Sequence, residues 1–308
     1  MSKRVHVLID GEQFGPYPEA EFRQHVSAQK ILKTDLVWRE GLGDWVTVSE
    51  FLDKLDPARP DARGRQPPSR PALAELWDGA AKGNPEAQFQ LSLVLFEGRE
   101  VAADEAEAVR FLRLAAGSGH GEAQYTLGFR QVNGRGLDRN DEEAVRWFRR
   151  AAEQEHAVAQ CSLGYLLEHG RGAPQNYVEA ARWYRKAADR GDAVAQNNLA
   201  LLLVAGQGVP KNDAEAAAWF AKAAQQNVPG AQMNYGLLLA KGQGIPADPV
   251  EAYKWLNVSA GQGHANAVKN RDLLAATMDR SQIAEAQLRA SQFMAKHVRA
   301  ETRPARGG

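Results

Sequence analysis

Hydrophobic positions along most of this chain recur with the spacing of amphipathic helices, and the helical pattern itself repeats every 36 residues. The dipeptide Ala-Gln marks the period, because it stands at positions 87, 123, 159, 195 and 231. Five full units, numbered 1 to 5 below, therefore occupy residues 84–263, with a partial unit on either side. A regular repeat of this length predicts stacked helical pairs that bury a continuous core between neighbours.

Each unit predicts two helices joined by a glycine turn. The first helix ends at a glycine column, where the left-handed conformation is favourable: Gly98, Gly134, Gly170, Gly206 and Gly242. The second helix begins at a column of capping residues: Asp104, Asn140, Asn176, Asn212 and Asp248. A glutamate follows each cap after three residues, which predicts a capping box in which the carboxylate bonds back to the cap N–H. A tryptophan column on the second helix is predicted to be core, since alanines lie at helical spacing beside it: Trp147, Trp183, Trp219 and Trp255.

The sequence outside the full units changes character several times. Residues 1–55 carry short alternating strands near aromatic and turn residues, and residues 56–72 are rich in proline and arginine, as in an extended linker. The predicted domains are an N-terminal domain over 1–55, a linker over 56–72, a repeat array over 73–278, a C-terminal capping helix over 279–298 and a basic tail over 299–308.

Composition is that of an ordinary globular protein, with 44% hydrophobic and 25% charged residues and a formal net charge of zero. The charge balance predicts no nucleic-acid partner. No apolar run is long enough to span a membrane, and the N-terminus lacks the pattern of a signal peptide. The single cysteine, Cys161, forms no intrachain disulfide, so we expect a cytoplasmic protein, with a monomer as the default state.

Motifs that suggest chemistry have simpler structural interpretations. The Gly-x-Gly turns lack the preceding strand and third glycine of a dinucleotide site. His120, His156 and His264 share one column, and packed helices would hold their backbones roughly 8–10 Å apart, too far for one zinc ion. The acidic clusters coincide with helix starts, and Cys161 has no histidine or acid placed beside it by the sequence. We therefore expect no catalytic residue, no metal and no cofactor, and an enzyme stays a remote alternative.

The repeat columns resemble the Sel-one-like repeat (SLR), a relative of the tetratricopeptide repeat. In unit 3 the matching residues are Ala159, Leu163-Gly164, Gly170-Arg171-Gly172, Asn176, Glu179-Ala180, Trp183-Tyr184, Ala187-Ala188 and Gly191. The resemblance implies a mainly α fold, a right-handed α/α superhelical solenoid. It also implies a non-enzymatic adaptor in a bacterium, whose partner is a protein or peptide.

The N-terminal zone resembles a bacterial GYF-like domain, a small α+β fold. The matching residues are Asp10-Gly11, Gly15-Pro16-Tyr17, the segment 36–41 and Trp45. Eukaryotic members bind proline-rich peptides on an aromatic surface, so the resemblance places a candidate surface at Phe14, Tyr17, Trp38 and Trp45. An alternative function is therefore a regulatory module in which this domain binds a proline-rich peptide, including the chain's own linker.

First-helix positions that vary between units are free to contact a partner. By analogy with tetratricopeptide arrays, the first helices line a concave groove. Aromatic side chains there would provide anchor area, and asparagines would both donate to and accept from a peptide backbone. The predicted groove residues are Phe89, Tyr125, Phe129, Tyr165, Asn197, Asn198 and Asn234. Packing between units is the alternative role of Phe129 and Tyr165.

Overall fold

The computed structural model describes residues 5–9, 12–17, 22, 25–26, 36–39, 46–47, 70–98, 101 and 103–301. They belong to two compact parts, one formed chiefly by the N-terminal residues and one formed by the helical array. Among the described residues we find no helix whose length and apolar content would carry it across a bilayer.

The described N-terminal residues form an antiparallel sheet with the strand order β2-β1-β3-β4. Its strands are β1 (Val5–Ile9), β2 (Glu12–Tyr17), β3 (Leu36–Arg39) and β4 (Val46–Thr47). In the central strand, Val7 pairs with Phe14 on one side and with Val37 on the other. Val5, Val7, Val37 and Phe22 are fully buried, because alternate residues of β1 point to the same face of the sheet.

Helical pairs account for the rest of the described chain. The prediction of a mainly α solenoid is therefore confirmed. The helices are α1 (Arg70–Ala81), α2 (Pro85–Glu97), α3 (Glu105–Gly117), α4 (Gly121–Asn133), α5 (Asp141–Glu153), α6 (Ala157–Glu168), α7 (Tyr177–Asp189), α8 (Ala193–Ala205), α9 (Asp213–Gln225), α10 (Pro229–Lys241), α11 (Pro249–Gly261), α12 (Ala265–Ala275) and α13 (Arg280–Glu301). Units 1 to 5 run from α2 to α11. Each second helix packs against the first helix that follows it, and in units 2 to 5 it also packs against the first helix of its own unit.

The second helices begin at the predicted caps, but the predicted reciprocal bond is not made. The Asn140 side chain accepts a hydrogen bond from the Glu143 N–H at 3.0 Å, and the equivalent bond forms in every unit. The N–H of Asn140 donates to the carbonyl of Gln131 on the first helix, and its equivalents do the same. Since the turn already satisfies this N–H, the prediction that glutamate bonds it is wrong, and the carboxylate is available to other partners.

Two residues of the histidine column, His120 and His156, are helix caps, whereas His264 stands at the start of α12 without a side-chain cap bond. Nδ1 of His120 accepts a hydrogen bond from the Ala123 N–H at 3.1 Å, and His156 caps the next first helix in the same way. Asparagine and aspartate perform this role in units 1 and 4. The Nε2 of His120 lies 2.8 Å from a Glu86 carboxylate oxygen in the preceding unit. These histidines therefore stabilise helix starts and junctions between units.

The second glycine of each turn allows neighbouring units to approach closely. A Cβ atom at Gly172 would lie 2.1 Å from the carbonyl oxygen of Asp141, at the start of the preceding second helix. A Cβ at Gly208 or Gly244 would meet the backbone of the preceding unit equally closely. The structure thus supports the architectural interpretation of the Gly-x-Gly turns, because each presses against a helix start.

A buried glutamine in each first helix links consecutive units. Nε2 of Gln124 donates to the carbonyl oxygen of Ala116, at the end of the preceding second helix, at 3.0 Å. The same bond forms from the glutamine of every other unit. The Oε1 of Gln124 accepts from Gln154 at 2.8 Å, whereas the Oε1 of Gln160 is buried without a partner. The glutamine column is therefore a set of structural bonds.

Charged side chains join successive second helices around the tryptophan column. Arg149 of α5 donates to the Glu179 carboxylate of α7, and Arg185 donates to Glu215 at 2.5 Å. The same carboxylates accept from the indole N–H of the tryptophan four residues later, at 3.2 and 3.3 Å. Trp183, Trp219 and Trp255 are buried, as predicted, while Trp147 is half-buried.

The array ends in two helices that differ from the repeating pair. Helix α12 occupies the place of a sixth first helix. Helix α13 packs on α11, where the Phe293 ring meets the Trp255 ring edge-on at 4.9 Å between centroids. Its start has the reciprocal capping box that the repeats lack, since Asp279 and Gln282 exchange bonds of 2.9 and 3.0 Å.

The glutamine bond gives a first test. Replacing Gln124 by leucine removes bonds to Ala116 and Gln154, and the Ala116 carbonyl keeps only the Gly119 N–H as a donor. We expect a loss of about 2–3 kcal/mol in the free energy of unfolding, measured by urea denaturation. Gln160→Leu is the matched variant, and it should cost about 1 kcal/mol less, because it also removes an unpartnered oxygen. Equal losses in the two variants would contradict this account.

The junction carboxylates give a second test. Hydrogen bonding from Arg149 holds the pKa of Glu179 below its ordinary value of 4.5, so the stabilisation is fully present above that value. It is lost as the pH falls through the lower folded-state pKa. We expect the thermal midpoint to fall less steeply below pH 4.5 in Arg149→Gln than in the unmodified protein.

The control for this test is Arg146→Gln, since Arg146 lies on the same helix, is exposed and makes no ion pair within the described residues. Its pH profile should match that of the unmodified protein. If the Arg149→Gln profile, measured from about pH 7 to about pH 3, matches those of the unmodified protein and of Arg146→Gln, the pair contributes nothing to acid stability.

Candidate functional site

Large apolar side chains are exposed along one face of the first helices. Phe129, Tyr165 and Leu201 occupy the same column in units 2, 3 and 4, and they are 41%, 42% and 42% exposed. Val158 and Val194, seven residues before Tyr165 and Leu201, lie on the same helix face and are also exposed. Neighbouring packed helices lie roughly 8–10 Å apart, so these side chains form one apolar strip across three units.

The apolar strip contrasts with the aromatic column beside it. Phe89 is only 5% exposed and packs with Leu112 and Leu127, so its side chain is in the core rather than in a groove. Tyr125 is half-buried, and its ring stacks on the His156 ring at 4.8 Å between centroids. This column faces the next unit, because the Phe89 and Tyr125 rings contact the histidines that begin the units after them. Its positions precede those of the strip by four residues, which is a rotation of about 40° around the helix axis.

The predicted asparagines lie next to the strip and are half-buried. Nδ2 of Asn197 donates to Oδ1 of Asn198 at 3.1 Å. The Oδ1 of Asn197 is buried and has no hydrogen-bond partner. Asn234 continues the Asn198 column in unit 5, so amide groups border the strip in units 4 and 5.

The buried polar groups behind this face are not set up for nucleophilic chemistry. Burial, together with the nearby charge of Asp192, raises the pKa of the Cys161 thiol far above its ordinary value. A reactive cysteine needs the opposite shift, because the thiolate is the nucleophile. The Tyr184 hydroxyl donates to the Glu168 carboxylate at 2.7 Å, and burial raises the pKa of this tyrosine as well. Among the described residues we find no cluster of side chains that could hold a metal ion.

The predicted N-terminal surface is only partly within the described residues. Phe14 stands opposite Val7 in the sheet, and Trp38 stands opposite His6. The Tyr17 ring contacts the His25 ring edge-on at 5.1 Å between centroids. Trp45 and residues 56–69 of the predicted linker lie outside the described residues. Residues 70–72 of that predicted linker belong to α1, so the helical part begins three residues earlier than predicted.

Sequence reasoning missed the arginine and glutamate pairs that join the second helices. Their signal is present in the sequence, since Arg113, Arg149 and Arg185 precede the glutamates of the next unit by 30 residues. The capping-box interpretation concealed it, because it assigned those carboxylates to the helix backbone. The pairing of arginine with glutamate is visible only as a constant offset of 30 residues between the columns of neighbouring units.

Comparison with known families and structures agrees with both parts of the fold. GYF domain 2 matches residues 6–52, and the Sel1 repeat matches residues 85–120, 121–156, 157–192, 193–228 and 229–264. Among curated proteins, none matches the chain.

Two solved structures illustrate the likeness. A protective antigen present in uropathogenic Escherichia coli strains, which displays an SLR fold, is 29% identical with a TM-score of 0.68. The match covers 80% of this chain but only 54% of that one. A Sel1 repeat protein from Oxalobacter formigenes is 36% identical with a TM-score of 0.60, over 64% of this chain and 82% of that one.

Sel1 repeat proteins are generally protein-interaction scaffolds and typically non-catalytic. The five matched repeats cover more than half of the chain, and they coincide with the five helical pairs of the array. The N-terminal match adds a GYF domain ahead of that array. The chain therefore belongs to the Sel1 repeat family.

Proposed function

We propose that this chain is a scaffold that binds an extended segment of a partner protein along the apolar strip. The observation that carries the proposal is the exposure of Phe129, Tyr165 and Leu201 at one position in three consecutive units. Continuous exposed apolar surface is unusual on a protein that works alone, and it marks interaction sites. Aromatic side chains in such a surface contribute most of the affinity of many interfaces.

The asparagines give this surface the polar groups that an extended segment needs. A bound backbone carries N–H and C=O groups that lose water, and an amide side chain can both donate and accept. Asn198 and Asn234 border the strip, and the unpartnered Oδ1 of Asn197 can accept a bond from a bound N–H after a small side-chain movement. We therefore expect apolar side chains of the partner on the strip and its backbone over the asparagines.

The GYF domain is proposed as a second binding surface, with Phe14, Tyr17, Trp38 and Trp45 as its candidate residues. Two linked sites that engage one partner raise the effective concentration at the second site. A partner with a proline-rich stretch near its array-binding segment would use both. Substitutions can test the GYF surface and the apolar strip separately, because the two surfaces are on different parts of the chain.

The experiment compares two double variants of the full chain. Tyr165→Ala with Asn198→Ala removes an aromatic anchor and an amide from the proposed surface. We expect the affinity for the partner, first captured from cells and then purified, to fall by about tenfold or more. Titration calorimetry with the purified partner measures this.

The matched control is Leu114→Ala with Val178→Ala, because these side chains are at least as exposed as Tyr165 but lie on second helices. It should leave the affinity unchanged, and circular dichroism should show both double variants folded. If the first variant binds as tightly as the unmodified chain, or if the control loses affinity equally, the partner does not bind on the apolar strip.

A further inference from the structure

A polar cavity of about 650 Å³ lies beside the turn of unit 2. Its lining includes Arg113 from unit 1 and several polar side chains of unit 2: Gln131, Asp138, Arg139, Asn140 and Glu143. Gln131 is only 2% exposed, and its Oε1 atom is buried without a hydrogen-bond partner. A buried amide oxygen without a donor opposes folding, so this side chain destabilises the array as it stands.

The repeats themselves show that the fold does not require this glutamine. The equivalent residue is leucine in every other unit, and each of these leucines is buried: Leu95, Leu167, Leu203 and Leu239. A leucine at position 131 would fill the same space without a polar group to satisfy. Residues that break a local rule without a structural gain are expected at functional sites.

The ion pair of this junction is also missing. Arg113 and Glu143 occupy the columns in which Arg149 bonds Glu179 and Arg185 bonds Glu215. Within the described residues, Arg113 makes no ion pair or hydrogen bond, and Glu143 accepts only a long bond of 3.4 Å from the Trp147 indole. Asp138 likewise has no ion pair there. Charged groups that are paired at the later junctions are thus left open to the cavity.

We propose that this cavity binds a zwitterionic α-amino acid. Two arginines and two carboxylates line it, and Arg139 is already bonded to the Asp141 carboxylate. Arg113 and the two lining carboxylates are therefore the available charges, and a simple anion or a simple cation would meet like charge as well as opposite charge.

A zwitterion matches both signs. Its ammonium group would donate to the carboxylates of Asp138 and Glu143 and, once the Gln131 side chain turns its buried oxygen toward the cavity, to the Oε1. Its carboxylate would accept from Arg113. The cavity has room for any free amino acid, since small-molecule sites span roughly 300–1,000 Å³.

This inference is independent of the apolar strip. Gln131 and Phe129 stand two residues apart on α4, so their side chains point roughly 200° apart around the helix axis. The amino acid would therefore bind behind the surface proposed for the partner protein. Loss of one activity leaves the other testable.

The test uses the full chain with its glutamines labelled with nitrogen-15, and glycine as the probe. The Gln131 side-chain amide is assigned as the signal that disappears in Gln131→Leu. We expect glycine to shift this signal in a saturable manner. Acetate and methylammonium, which carry one charge each, should bind about tenfold more weakly, because each lacks one set of charge-assisted bonds.

Two further variants make the test specific. Arg113→Gln should weaken glycine binding about tenfold, while Arg146→Gln, an exposed arginine outside the cavity, should leave it unchanged. Gln131→Leu, in which the reporting amide is gone, should abolish the heat of glycine binding in titration calorimetry. It should also raise the melting temperature, which shows that the variant is folded. No saturable shift with glycine, or equal binding of glycine, acetate and methylammonium, or equal binding by the Arg113→Gln variant, would overturn the proposal.

Discussion

The bond from a buried glutamine to the end of the preceding helix is the interaction on which this array depends. At each junction an alanine carbonyl near the end of the preceding helix accepts one backbone bond from the turn that follows it, as the Ala116 carbonyl does from the Gly119 N–H. The Nε2 atom of Gln88, Gln124, Gln160, Gln196 or Gln232 supplies a second donor to this carbonyl. Because the second donor belongs to the next unit, the bond ties each unit to the one before it and favours a continuous stack.

Most of the architecture could be predicted from the sequence because each of the five units has to start, end and pack the same two helices. A cap such as Asn140 begins a helix, a left-handed glycine such as Gly134 ends one, and a core tryptophan such as Trp183 packs one. Because these residues recur at the same spacing, they can be told apart from chance matches. The N-terminal sheet had no such internal repetition. Its register, in which Val7 pairs with both Phe14 and Val37, depends on strand pairings that no recurring residue in the sequence marks.

The sequence was a poorer guide to the candidate site, because surface and packing positions adjoin on the first helix. Phe89 and Phe129 are both variable aromatics, yet one is buried and the other exposed. Their columns lie four residues apart, which is about 40° around the helix axis. Only the packing of neighbouring units shows which column is covered. Glu143 was assigned to the wrong partner for a similar reason, since the N–H of Asn140 is satisfied by the turn and not by the glutamate.

A regular array makes each departure from the pattern interpretable, because the other units serve as internal controls. The exposed side chains of the strip cost little in a folded protein, so they are informative only because Phe129, Tyr165 and Leu201 recur in register. The glutamine at position 131 is informative for the opposite reason, since a buried amide opposes folding where four leucines favour it. Both features meet on α4, from opposite sides of one helix. The strip is therefore inferred from a position at which three units agree, and the amino-acid site from a position at which one unit departs from the other four.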